Sequence, residues 1–150
     1  MLSSPTPFRL GPDRLESQSR QFNARKEIEW FGFRGSFEAP GDAVLSIACP
    51  DPGMLGGGGT AALNGGVIAA GFDGVFVLAG LSQYETEVVV TLELSVKFVN
   101  LAIASRPLEW RAHVVRSSKR FAFVEGALVD RANRHESPVA LASAMVAPAS

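Results

Sequence analysis

The chain is poor in the residues on which several classes of protein depend. Its single cysteine, Cys49, cannot close an intrachain disulfide, and two histidines, His113 and His135, are too few to complete a zinc site with it. The two histidines have no ligand spacing, and His113 falls in a stretch that reads as a strand, where an ordinary surface or core histidine is expected. No Gly-x-Ser-x-Gly elbow occurs and Cys49 has no base beside it in sequence, which removes the local signatures of serine and cysteine hydrolases. The glycine run Gly56 to Gly59 is not followed by Gly-Lys-Ser/Thr, so it reads as a mobile loop rather than a phosphate-binding one.

Long apolar runs are also missing. The longest, Val67 to Leu81, is broken by Asp73 and falls short of the about 20 residues a membrane span needs. Met1 to Arg9 has no apolar stretch of signal-peptide length, so a cytoplasmic protein with no membrane partner is the expectation. Fourteen basic against fifteen acidic residues give a net charge of −1, which argues against nucleic acid as a partner. Basic residues are absent from positions 35 to 96, where seven acids stand, whereas positions 97 to 134 hold eight basic residues. That second half could attract an anion, or could simply be a solvated strand face.

What is present is a globular composition: 150 residues, 47% apolar and 19% charged, enough for one self-sufficient core. Residues 1 to 28 read as an N-terminal loose arm followed by a helix capped by Asp13, and residues 29 to 150 as one domain. Aromatics at Trp30, Phe31, Phe33 and Phe37 suggest a strand from Trp30 to Glu38. Ala39-Pro40-Gly41-Asp42 reads as a turn, and Ala43 to Cys49 as the hairpin partner. Leu63 to Leu81 is apolar nearly all round, the pattern of a buried helix. From Glu87 to Phe98 the alternation is nearly strict, with Val88, Val90, Leu92, Leu94, Val96 and Phe98 on the face expected to be buried. Strands at Leu108 to Val115, Phe121 to Val129 and Val139 to Val146 complete the pattern, with Ser117 to Arg120 as a hairpin turn and Asp130 to Glu136 as a polar loop. The fold class is therefore α+β, an apolar helix against a curved antiparallel sheet of about six strands.

Two features could carry chemistry. Asp73 stands among Phe72, Val75 and Phe76 in the apolar helix, where a carboxylate is either satisfied by donors at an oligomer interface or held for function. Asn64-Gly65-Gly66 opens the same helix. It is either an N-cap with a tight turn or a donor site at which free N–H groups stabilise an oxyanion.

These residues, taken together, resemble the hotdog-fold acyl-CoA thioesterases, in particular the PaaI-like branch of the 4-hydroxybenzoyl-CoA thioesterase superfamily. The resemblance runs from about Glu29 to Ala147. It rests on Leu63-Asn64-Gly65-Gly66, on Asp73 nine residues after Asn64, on Thr91-Leu92-Glu93-Leu94-Ser95-Val96-Lys97-Phe98, and on Val114-Val115-Arg116 leading to Lys119-Arg120 and Val129-Asp130. It implies a hotdog fold, a long central helix wrapped by the sheet, assembled as a homodimer or dimer of dimers whose active sites are shared between protomers. It implies an acyl-CoA substrate, hydrolysis to free acid and CoA, and no metal or other cofactor. Asp73 would be the general base or nucleophile, Gly65 N–H the oxyanion donor, and Thr91 the hydroxyl that orients water. Arg116, Lys119 and Arg120 would meet the phosphates of coenzyme A. Asn64 stands where the family has histidine, and Gly58 where many relatives carry Asn or Gln. Those departures keep a second reading in view, a non-catalytic hotdog protein that binds acyl-CoA. A hotdog dehydratase or hydratase is disfavoured because the helix offers no histidine.

Overall fold

The computed structural model describes residues 3–56, 59–133 and 137–149. In chain order the elements are helix α1 (Pro12–Asn23), helix α2 (Lys26–Phe31), strands β1 (Phe33–Glu38) and β2 (Asp42–Ile47), helix α3 (Gly65–Leu81), and strands β3 (Val89–Phe98), β4 (Leu108–Ser117), β5 (Ala122–Asp130) and β6 (Ala140–Pro148). Short 3-10 turns occupy Pro52–Met54 and Arg131–Asn133. All strand pairs are antiparallel, and the sheet order is β1-β2-β4-β5-β6-β3. The expected α+β class and six-stranded sheet are therefore what the chain forms, with β1 and β3 as its edges.

The pairing register shows why the sheet holds a helix. Residues directly opposite each other share a face, and one rung reads Leu45, Trp110, Leu128, Ala140 and Phe98. All of these but Phe98 are buried, and they look onto α3. Three inward residues of β6 are alanines, Ala140, Ala142 and Ala144, which lets the helix lie close to the sheet, and the fourth, Val146, meets α3 at Gly80. Helix and sheet are closest at Gly71, where an added Cβ would fall within the Trp110 ring, and Trp110 Nε1–H donates to Ile68 O at 3.1 Å. That bond fixes the rotation of α3 about its axis near its first turn.

Four expectations are corrected here. Trp30 and Phe31 belong to α2, not to a strand. Its first turn carries Glu27 and Glu29, and Gly32 ends it at φ 72°, the left-handed conformation that glycine reaches without strain. Helix α1 starts at Pro12 with Gly11 as its N-cap, and Asp13 lies within the first turn. The first ten residues are not loose where they are described. Thr6 N–H donates to Val114 O at 2.9 Å, the Phe8 and Phe37 rings meet at 5.3 Å, and Ser3 reaches Glu125 and His113.

The fourth correction concerns β3. Its register slips by one residue between Thr91 and Glu93, a β-bulge. Val89 and Thr91 lie on the inner side before the bulge, and Leu94 and Val96 after it. Val90 and Leu92, expected on the buried face, are exposed, as is Val88 just ahead of the strand. One inserted residue inverts the face that every earlier side chain presents.

Candidate active site

The start of α3 is built from both sides. Asn64 is in extended conformation, and its Oδ1 accepts from Gly66 N–H at 2.7 Å. The N-cap reading of Asn64 thus describes its side chain. Asn64 N–H in turn donates to Met54 O at 2.7 Å, and Leu63 N–H donates to Ala102 O at 2.8 Å, so flanking loops clamp the turn. Gly65 N–H has no hydrogen-bond partner among the described residues. It is an unused donor at the positive end of a 17-residue helix dipole. An added Cβ on Gly65 would lie 3.4 Å from the Phe98 ring, which places this exposed aromatic beside the donor.

Asp73 is the exposed residue in a stretch of α3 that is otherwise buried from Gly71 to Leu81. This differs from the expectation of a carboxylate closed into apolar surroundings. The sheet wraps most of the helix but leaves a strip open along Gly66, Ala69, Ala70 and Asp73, residues three or four apart. Thr91 borders that strip, and its Oγ1–H donates to Asp73 Oδ1 at 2.6 Å. The bulge turns Thr91 inward to do so. Asp73 therefore has one oxygen fixed by a hydroxyl and a second that can accept a proton.

The donor and the acid are not neighbours within one chain. Eight residues of helix at a rise of about 1.5 Å separate Gly65 from Asp73 by ~12 Å along the axis. The basic residues are farther still. The turn after β4 sits at the opposite end of α3, where Tyr84 Oη–H donates to Ser118 O at 2.8 Å and Ser117 Oγ–H to Gln83 Oε1 at 3.1 Å. Burial holds the Tyr84 phenol above its ordinary pKa although Arg9 pulls the other way, so it remains a donor. Arg116, Lys119 and Arg120 thus stand about 25 Å from Gly65 of the same chain, the length of the helix. Gly58 lies outside the described residues, as does His135.

Other polar groups have structural partners. His113 is buried on the outer face of the sheet, with Nε2 3.3 Å from Ser3 Oγ and 3.7 Å from Glu125 Oε2. Arg111, on the same face, binds Glu38, Asp42 and Glu109. Burial works against its charge, but the bonds to Glu38 and Glu109 hold its pKa above the ordinary value. Among the described residues no group of three or more His, Cys, Asp or Glu could hold a metal ion, and no helix is long and apolar enough to cross a membrane. The aromatic neighbour Phe98 was legible only as the end of a strand, because its contact with Gly65 is long-range.

A single helix lying in the hollow of a six-stranded antiparallel sheet, with its start and one carboxylate left open, defines a hotdog-fold protein. Solved structures share the arrangement. A thioesterase family protein from Silicibacter pomeroyi is 22% identical, covers 89% of this chain and 96% of its own, and superposes with a TM-score of 0.74. The PaaI protein from the phenylacetic acid degradation operon of E. coli is 19% identical over 91% of this chain and 96% of that one, with a TM-score of 0.74. A thioesterase from Pseudomonas aeruginosa is 15% identical over 95% and 97%, with a TM-score of 0.76. No curated protein sequence matches. The sequence model of the thioesterase superfamily matches residues 61–136, just over half of the chain and the whole of α3 through β5. The protein belongs to the thioesterase superfamily, and the class of activity that goes with membership is thioester hydrolysis.

Proposed function

We propose that this protein is an acyl-CoA thioesterase that works as a homodimer, or a dimer of dimers, with each site made from two chains. The observation that carries the reading is the Asp73–Thr91 pair on the open strip of α3, ~12 Å along the same helix from an unused Gly65 N–H. A two-fold axis near Ala69 would set two α3 helices antiparallel and bring Asp73 of each beside Gly65 of the other. Ala69 and Ala70 are small enough to let the helices approach. The free edge of β3, with Val90 and Leu92 exposed, offers a strand to pair with its own copy.

In that site the thioester carbonyl oxygen accepts from Gly65 N–H. Asp73 of the second copy takes a proton from water as the water oxygen bonds to the carbonyl carbon. The resulting oxyanion is stabilised by the same N–H and the helix dipole. Collapse breaks the C–S bond, and the departing thiolate takes the proton back from Asp73, leaving free acid and coenzyme A. Thr91 holds the carboxylate in place so that its second oxygen faces the water. The turn that carries Lys119 and Arg120, with Arg116 nearby, would lie beyond the start of the other chain's helix, where the phosphates of coenzyme A leave the site. Water and the protein suffice, and no metal or other cofactor takes part.

The test is release of free thiol from short, medium and long acyl-CoAs, phenylacetyl-CoA and hydroxybenzoyl-CoA, with Asp73→Asn alongside. The carboxamide is nearly isosteric and cannot take the proton. Turnover of the variant should fall about a hundred- to ten-thousand-fold with the melting temperature little changed. Turnover near the wild-type rate would remove Asp73 from the mechanism. Tight acyl-CoA binding without any release would make the protein a binding module.

A further inference from the structure

A cleft of about 360 Å³ has no part in the scheme above. Trp30, Phe31, Asp51, Gly53, Met54 and Val67 line it. It opens beside the first turn of α3. Val67 follows Gly65 by two residues, and the Met54 carbonyl is the group that holds Asn64 N–H at 2.7 Å. Its wall is rigid. Trp30 meets Phe31 edge-on at 4.9 Å, Phe31 stacks on Phe33 at 4.8 Å, and Phe33 meets Trp110 edge-on at 5.4 Å. Trp110 then bonds to the Ile68 carbonyl, so the aromatic series returns to the turn of helix from which it started.

Two features say what the cleft would hold. Trp30 leaves 75% of its surface in water, so an apolar chain laid against the indole would take both surfaces out of water. Met54 opposite it is half-buried, and a thioether adapts to chains of varied shape. Asp51 is the one ionisable side chain among the lining residues, and its Oδ1 accepts from Gly53 N–H at 2.8 Å, which keeps it at the rim.

We propose that this cleft receives the acyl chain of the thioester whose carbonyl rests on Gly65, and that it selects uncharged apolar chains of medium length. The inference rests on the thioesterase reading and adds the acyl class to it. With about 30 Å³ for a water-sized group, the volume accommodates roughly ten methylene-sized groups. Asp51 repels a chain that ends in a carboxylate, a discrimination by like charge rather than by size.

Non-hydrolysable S-alkyl-CoA thioethers test the cleft without turnover. Ethyl-, octyl- and 7-carboxyheptyl-CoA are titrated calorimetrically into wild type, Trp30→Ala, Val67→Trp and Asp51→Asn, with melting temperatures recorded for each. At about fourfold per buried methylene, burial of only two of its six extra methylenes should make octyl-CoA bind at least about tenfold more tightly than ethyl-CoA. Trp30→Ala, which removes an exposed side chain, and Val67→Trp, which fills the cleft, should each reduce that octyl-to-ethyl ratio about fivefold or more. Carboxyheptyl-CoA should bind more weakly than octyl-CoA, with the gap narrowed in Asp51→Asn. Equal binding of octyl- and ethyl-CoA, or a ratio untouched by both cleft variants, overturns the assignment. Hydrolysis of octanoyl-CoA is measured separately, so an inactive protein with intact chain selectivity refutes the thioesterase reading and leaves the cleft assignment standing.

Discussion

Gly65 can be tested with unusual selectivity because proline is well suited to the first position of a helix. It fixes φ near the helical value and removes only the N–H, which this helix does not use internally. Asn64 before it is already extended, the conformation that a following proline requires. Gly65→Pro should therefore leave the melting temperature within a few degrees of wild type while kcat falls about a hundred- to a thousand-fold, the usual cost of one oxyanion donor. Unchanged kcat in a folded Gly65→Pro protein would move the oxyanion site elsewhere. Asn64, Gly65 and Asp73 were all legible in the sequence because their spacing is local. Thr91 was legible by resemblance but not by pattern. Strict alternation puts it on the outer face, and only the one-residue slip at Leu92 turns it toward Asp73. Trp30, Met54 and Phe98 were not legible as site residues, since they meet the helix start only through long-range packing.

The elements show a similar division. The run from Leu63 to Leu81 and the strands of the second half could be read from periodicity, since each buries one set of side chains against one surface. Helix α2 could not. Its Trp30 and Phe31 sit close to Phe33 and Phe37, and closely spaced aromatics resemble a strand when read without the rest of the fold. The contrary signal was present in Glu27 and Glu29 followed by Gly32, acids in a first turn and a glycine stop. The glycines of α3 lower its intrinsic helix propensity, and the contact at Gly71 shows what offsets that loss. Gly71→Ala would gain about 1 kcal/mol in helix propensity. It would also drive a methyl into the Trp110 ring, which Phe33 and the Ile68 carbonyl hold in place. Overpacking of this kind costs about 1–3 kcal/mol or more. Chemical denaturation should show a net loss of stability, and Gly71→Ala should lose activity as well because the start of α3 must shift. A neutral or stabilised variant would mean that the ring yields easily.

For the whole molecule, the separation of donor and acid along one helix makes a prediction that no single-chain site shares. On the proposed shared-site reading, chains carrying Gly65→Pro and chains carrying Asp73→Asn should each be inactive as homodimers. Co-expressed, they should form mixed dimers in which one of the two sites pairs an intact Gly65 with an intact Asp73. Random assortment should restore about a quarter of wild-type activity. No recovery, in a mixture shown by mass spectrometry to contain the mixed dimer, would place both groups in one chain's site. Whether a face of the sheet or helix meets a second copy is not readable from sequence, because a residue buried by its own chain and one buried by a partner have the same composition.

Up to Thr91 the odd-numbered residues of β3 look inward, and from Leu94 onward the even-numbered ones do. A complete substitution scan of this strand should show polar replacements tolerated and rejected in alternation, with the parity of that alternation reversing across Leu92. Deleting Leu92 would restore a single parity along the strand, and everything on its N-terminal side would then have to slide by one place or turn over.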